Sequence, residues 1–169
     1  RFNLLLQRAP YMTYVGRKNP SDQNGPILLV TPSEKPCQFY RIDKDTWVRE
    51  TTAELKKYTN RSIIVREKGL RPDRIKEHSV AAQCFKQSIH AVVTYQSMAA
   101  LEAMHYGIPA FTMAPSCVDS VANKNLADIE NPYYGGPEPW LFSLAYQQFT
   151  PEEFENGSAV EILMDKGLL

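Results

Sequence analysis

The chain has 169 residues, 43% of them apolar and 22% charged, the proportions of a folded globular domain and not of a disordered, collagenous or coiled-coil chain. Nineteen basic residues balance nineteen acidic ones, so no net field draws the molecule to nucleic acid or an anionic membrane; such a partner must be held by a local patch. No apolar run approaches the ~18 residues of a membrane span, and Arg1 to Pro10 is too short an apolar stretch for a signal peptide, so a cytoplasmic protein without a membrane span is expected.

Residues 1–24 end in a stretch of Asn, Pro, Ser and Asp that runs into Gly25, the texture of a linker or of the remnant of an N-terminal region. Arg1 stands where an initiator methionine would, as in a fragment or a processed piece. Residues 25–169 are expected to form one Rossmann-like domain that ends in helices. Ile27 to Thr31, a branched apolar run between Pro26 and Pro32, reads as a buried strand. A helix follows, capped by Asp45 or Thr46, with Trp47, Val48, Thr51, Leu55 and Tyr58 recurring at threes and fours. Ser62 to Arg66 is a second strand, Val80 to Phe85 a helix, and Ala91 to Thr94 a third strand. Ser97 to Tyr106 reads as a helix stopped by Gly107, and Pro109 to Thr112 as a fourth strand. Strands alternating with helices predict an α/β fold, a parallel sheet covered on both faces. Two further helices are expected over Pro139 to Gln148 and Pro151 to Met164, the second opened by a capping box of Thr150 and Glu153 with Pro151 at its first position.

In an open parallel sheet, ligands bind beyond the carboxyl ends of the strands. Four loops fall there: Thr31 to Lys35, Arg66 to Arg71, Thr94 to Ser97 and Thr112 to Ser116. The second begins a basic concentration of Arg66, Lys68, Arg71, Arg74 and Lys76, suited to a phosphate or diphosphate; the interleaved Glu67, Asp73 and Glu77 equally suit a solvated loop. The third places Ser97 at a helix N-cap, where free N–H groups favour an anion. Glu102 follows in a nearly all-apolar run, so its carboxylate needs a partner; a ribose diol or a basic side chain could serve, unless it lies at the solvent edge.

Cys37, Cys84 and Cys117 are odd in number and widely spaced, which fits reduced, buried thiols better than a disulfide frame. No C-x-x-C pair accompanies His78, His90 and His105, so no zinc site is expected. Neither G-x-S-x-G, G-x-G-x-x-G nor a P-loop occurs. Tyr133, Tyr134, Trp140, Phe142, Tyr146 and Phe149 could stack a base, although their helical spacing suits a core.

The stretch HAVVTYQSMAALEAMHYGIPAFTMAP, with LADIENPYYGGPEPWLFSLAYQQFT after it, resembles the C-terminal half of glycosyltransferases from tailed bacteriophages and bacteria, and more distantly the capsule transferases that move Kdo from a CMP-sugar. The likeness runs from about Gly25 to Leu163. It is most specific in Thr94-x-x-Ser97-x-x-x-x-Glu102-Ala103, Gly107-x-Pro109, Ile129-Glu130-Asn131-Pro132, and Trp140 with Leu144-Ala145-Tyr146. The resemblance implies the GT-B architecture, whose C-terminal domain binds a nucleotide sugar. It implies that Ser97 and the N–H groups after it, from Met98 on, hold a donor phosphate. Glu102 would bond ribose or sugar hydroxyls, Arg66 and Lys68 would neutralise the leaving nucleotide, and Ser33 would lie near the same phosphates. Where relatives carry an R-P-x-P-like segment this chain has Arg66-Glu67-Lys68-Gly69. The acceptor site and catalytic base belong, in such proteins, to an N-terminal domain that residues 1–24 cannot replace.

The expected function is therefore sugar transfer from a nucleotide sugar, with no cofactor and no metal. The alternatives are a non-catalytic nucleotide-binding or protein-interaction module of phage origin, and glycosylation of modified phage DNA, which the zero net charge disfavours. The acceptor and the oligomeric state stay open. A phage-encoded chain would work in the host cytoplasm.

Overall fold

The computed structural model describes residues 24–67, 80–133, 140 and 149–168. Among them are β1 (Ile27–Val30), α1 (Glu34–Tyr40), α2 (Lys44–Leu55), β2 (Ile63–Arg66), α3 (Val80–Lys86), β3 (Ala91–Thr94), α4 (Ala99–His105), β4 (Ala110–Thr112), a 3-10 turn (Leu126–Asp128), α5 (Pro151–Glu155) and α6 (Ser158–Asp165). The four strands form one parallel sheet in the order β2-β1-β3-β4, flanked by helices, so the fold is α/β and Rossmann-like. No helix of the described residues is long and apolar enough to cross a membrane.

The strands are the most apolar runs of the chain because the inner ones are covered on both faces. Every residue of β1, β3 and β4 is buried, whereas Val65 on the edge strand β2 is exposed. Alternation along the strands splits the core in two. Ile27, Leu29, Ala91, Val93 and Phe111 pack on one face with Trp47 and Leu55 of α2 and Leu126 of the 3-10 turn. Leu28, Val30 and Val92 pack on the other with Val80 and Cys84 of α3 and Ala99 and Ala103 of α4. Beyond β4, Asn123 bridges to Phe111 in parallel, and its side chain clamps the backbone of Tyr133 with bonds of 2.8 and 2.9 Å.

Three expectations need correction. The cap of α2 is Asp43, earlier than Asp45 or Thr46: its carboxylate accepts from the Thr46 N–H at 2.7 Å, and Tyr58 lies exposed beyond the helix end. Residues 31–35, expected as a loop, contain the start of α1. Pro36 reads as a breaker, yet in a first turn its missing N–H has no intrahelical partner to lose. Pro151 to Met164 is two helices, because the chain turns at Gly157, whose φ of 82° lies in the left-handed region that glycine adopts without strain. The capping box before α5 is present, with Thr150 Oγ1 accepting from the Glu153 N–H at 3.3 Å and Glu153 Oε2 from the Thr150 N–H at 2.8 Å. Apart from Trp140, the expected helix over Pro139 to Gln148 lies outside the described residues.

The amino edge of the sheet is sealed by a polar network. Arg61, whose side chain is only 12% exposed, reaches Glu130 with both ends of its fork and donates to the Gly25 carbonyl at 3.0 Å. Thr59 donates to the same carboxylate. His90 donates its Nε2–H to the Ile129 carbonyl at 2.7 Å. Burial takes His90 below its usual 6.5 and outweighs the carbonyl that holds its proton. Gly25 enters β1 so close to the next loop that a Cβ would stand 2.0 Å from the Ser88 carbonyl oxygen.

Gly25→Ala should therefore cost about 3 kcal/mol or more, because the atoms its Cβ would meet, in Ser88 and His90, are backbone and cannot swing aside; urea titration of the variant and parent measures it. Because the folded chain binds a proton on His90 less readily than the unfolded one, stability should fall as pH drops below 6.5 through the lower folded value, then level off. His90→Gln keeps a donor for Ile129 and should remove this part of the slope in denaturation midpoints measured from pH 7 to 5.

Candidate functional site

Registered pairing sets Arg66, Val30, Thr94 and Thr112 side by side at the carboxyl edge. The chain leaves β1 toward β2 and later passes back to β3 on the other side, so the loops after β1 and β3 diverge. Where strand order reverses in this way, such sheets usually hold their ligand in a crevice between the two loops.

Ser33 lies on one wall. It is the N-cap residue of α1, but its hydroxyl makes no capping bond; its carbonyl accepts from Cys37. Ser97 lies on the other. The Thr94 hydroxyl accepts from the Ser97 N–H at 3.3 Å, and the Ser97 hydroxyl accepts from the Ala99 N–H at 3.2 Å. Met98 therefore stands at the geometric cap, in helical conformation and exposed, while Ser97 satisfies the first free N–H of α4 from one residue earlier than expected. Arg66 arrives at the same edge from β2, and its guanidinium donates to the Gln83 side chain of α3. Glu102 is in the first turn of α4, half-buried; burial raises the Tyr106 phenol above its usual value and the charge of Glu102 adds to it. Lys68, Arg71, Arg74 and Lys76 lie outside the described residues.

Several features at this edge have no linear signature. Gln96, between Tyr95 and Ser97, has a buried side-chain oxygen without a hydrogen-bond partner, the one such side-chain atom among the described residues. Lys124 donates to Asp119 at 2.5 Å, to the Thr112 hydroxyl at 2.7 Å and to the Ala114 carbonyl at 3.3 Å, pinning the loop after β4. Burial works to raise the Asp119 carboxyl, but the hydrogen bonds it accepts from Lys124, the Ser116 backbone N–H and the Thr112 hydroxyl leave it below the usual carboxylate value. The Phe39, Tyr40, Tyr95 and Trp47 rings form an edge-to-face chain with centroids 4.8, 5.6 and 6.2 Å apart. Only their mutual spacing in space, and not in sequence, reveals the group.

Other expectations fall differently. Cys84 is buried as expected, but Cys37 is only half-buried and Cys117 is exposed, its thiol 3.8 Å from the Met98 sulfur. Of the aromatic group proposed for stacking, Tyr133 is exposed, Trp140 donates to the Cys117 carbonyl at 3.0 Å and Phe149 packs on Phe154; Tyr134, Phe142 and Tyr146 lie outside the described residues. No cluster of three or more metal-binding side chains occurs among the described residues. An open depression of about 640 Å³ does exist, but at the amino edge, lined by Lys56, Asn60, Arg61 and Glu130 among others. Its cations are engaged: Lys56 with the Arg61 carbonyl, Lys57 with Glu54, Arg61 with Glu130. It is an open hollow beside a closed network, and the uncommitted chemistry lies at the carboxyl edge.

Asp119→Asn should lower stability at neutral pH by about 0.5–1 kcal/mol, the modest value expected of a pair this exposed. Since the folded carboxyl sits below its usual 3.8, the difference should be full above that value and fade as the pH falls through the folded one, which melting curves of both proteins from pH 7 to 2.5 check. Comparisons of the chain with protein-family models, with curated proteins and with solved structures gave no match.

Proposed function

We propose that this chain binds a nucleotide sugar at the carboxyl edge of its sheet and serves as the donor-binding domain of a glycosyltransferase. The observation that supports this reading best is the reversal of strand order between β1 and β3, which sets Ser33 and Ser97 on facing loops with Arg66 one strand away. Small hydroxyl side chains let phosphate oxygens approach the backbone, and the Ser97 hydroxyl, which accepts from the Ala99 N–H, keeps its own O–H to donate to a phosphate. During transfer, the bond between the sugar's anomeric carbon and the phosphate oxygen breaks, a bond to an acceptor oxygen forms, and negative charge grows on the departing nucleotide. Arg66, fixed by Gln83, supplies positive charge on that side, with Lys68 two residues on. Glu102, a turn into α4, takes the ribose or sugar hydroxyls.

A second reading, a protein-interaction module, has one observation in its favour: α5, α6 and the residue run after them expose Phe154, Val160, Met164 and Leu168. Sedimentation of the purified chain separates the two, since an interaction module that pairs with itself associates without nucleotide.

The direct test is a melting-temperature screen against UDP-, GDP-, ADP- and CMP-sugars. One of them, at a hundred times its dissociation constant, should add about 2.7 kcal/mol of stability. Arg66→Ala and Glu102→Ala should each weaken that binding by about tenfold, the loss of one charged hydrogen bond, with circular dichroism unchanged. Folded parent protein that responds to none of the four sugars overturns the reading.

A further inference from the structure

We infer that the exposed rings of Phe39 and Tyr40, with the side-chain oxygen of Gln96, form the seat for the aromatic base of the nucleotide. This rests on the reading above that the carboxyl edge takes a nucleotide sugar, and it names the part of the ligand that provides discrimination.

Helix α1 buries none of its residues, so core packing does not account for its position. It starts at Ser33 on the wall of the crevice and ends by presenting Phe39, 80% exposed, and Tyr40, 40% exposed. Large rings at that exposure are normally withdrawn from water. Tyr40 nevertheless connects them to the core. Tyr40 meets Phe39 at 81° and Tyr95 at 68°, and Tyr95 meets the buried Trp47 at 88°, so the exposed pair is anchored through Tyr95 to the core beneath. A rigid aromatic surface loses little freedom when a flat ring stacks on it.

Tyr95 also opens the loop that leads from β3 to Ser97. The residue after it is Gln96, whose buried oxygen accepts no hydrogen bond. A buried acceptor left unpaired by the chain is costly, and a donor from outside the chain, a water or a ligand, relieves that cost. A nucleobase meets both demands, with a π-face for the rings and an N–H on its edge for the oxygen. A sugar ring offers hydroxyls and only a puckered C–H face, less suited than a flat π-system to stacking along both rings, and a phosphate offers no apolar face.

The test measures binding of the four ribonucleoside 5′-monophosphates and of ribose 5-phosphate to the full chain by calorimetry. The parent should prefer at least one nucleotide over ribose 5-phosphate by tenfold or more. Phe39→Ser and Gln96→Leu should each cut that preference about tenfold, ~1.4 kcal/mol, and leave ribose 5-phosphate binding as it was. Phe39 is so exposed that its loss should not disturb folding, and Gln96→Leu should raise the melting temperature of the ligand-free chain by removing the unpaired oxygen. If the preference survives in both variants while Arg66→Ala still weakens binding, the base sits elsewhere and the inference fails although the donor reading stands. If no nucleotide binds the folded parent, both fall together.

Discussion

The geometry of the carboxyl edge depends on one constraint: β1 is hydrogen-bonded in parallel to both β2 and β3, strands that the chain reaches on opposite sides. Such a strand has no solvent face and no free edge. Ile27, Leu28, Leu29 and Val30 are accordingly all buried, two toward each core cluster. The same pairing fixes both of its ends. At the amino end the backbone comes so near Ser88 that only Gly25 fits, and at the carboxyl end the loops of β1 and β3 must part because their helices go to different places. The crevice is thus a by-product of the order in which strands are added.

The two edges of the sheet are finished in opposite ways. At the amino edge, polar side chains are matched: Arg61 serves Glu130 and Gly25, Thr59 serves Glu130, and His90 serves Ile129. At the carboxyl edge a buried oxygen of Gln96 is unmatched, the Ser33 hydroxyl does not cap its helix, and two large rings face water. These three departures lie together at the carboxyl edge. Proteins give up local stability chiefly where a site requires it, so the contrast separates the edge that holds the fold from the edge that can use it.

The strands were legible because a doubly covered strand needs an unbroken apolar run, and Ile27 to Val30, Ala91 to Thr94 and Ala110 to Thr112 are such runs. Ser33, Arg66 and Ser97 followed from them, since a strand's last residue marks the edge to which the next loop belongs. Helix α1 was not legible, because Pro36 in a first turn and Pro36 in a loop look alike in one dimension. Nor was the cap of α2: Asp43 and Asp45 are both plausible until the Thr46 N–H is seen to point at one of them. Arg61 and Glu130 are 69 residues apart, and Tyr40 and Tyr95 are 55 positions apart by their numbering, so neither contact has a local pattern to betray it.

Charge at the carboxyl edge narrows what kind of ligand can bind there. Lys44 at the start of α2 is held by Glu67 at 3.0 Å, and Lys124 beyond β4 is held by Asp119. Each neutralises a neighbour, so neither adds much field to the crevice. Arg66 is tied to Gln83, and backbone N–H groups carry only partial charge. Among the described residues this leaves Arg66 as the main charge there, and its attraction for an anion is readily screened by salt. A ligand with a phosphate and a flat apolar portion fares better, because stacking on fixed rings does not depend on ionic strength and the phosphate then needs only to be oriented. In the proposed site the aromatic surface would discriminate between ligands, and the charged residues would set the position of the one the rings select.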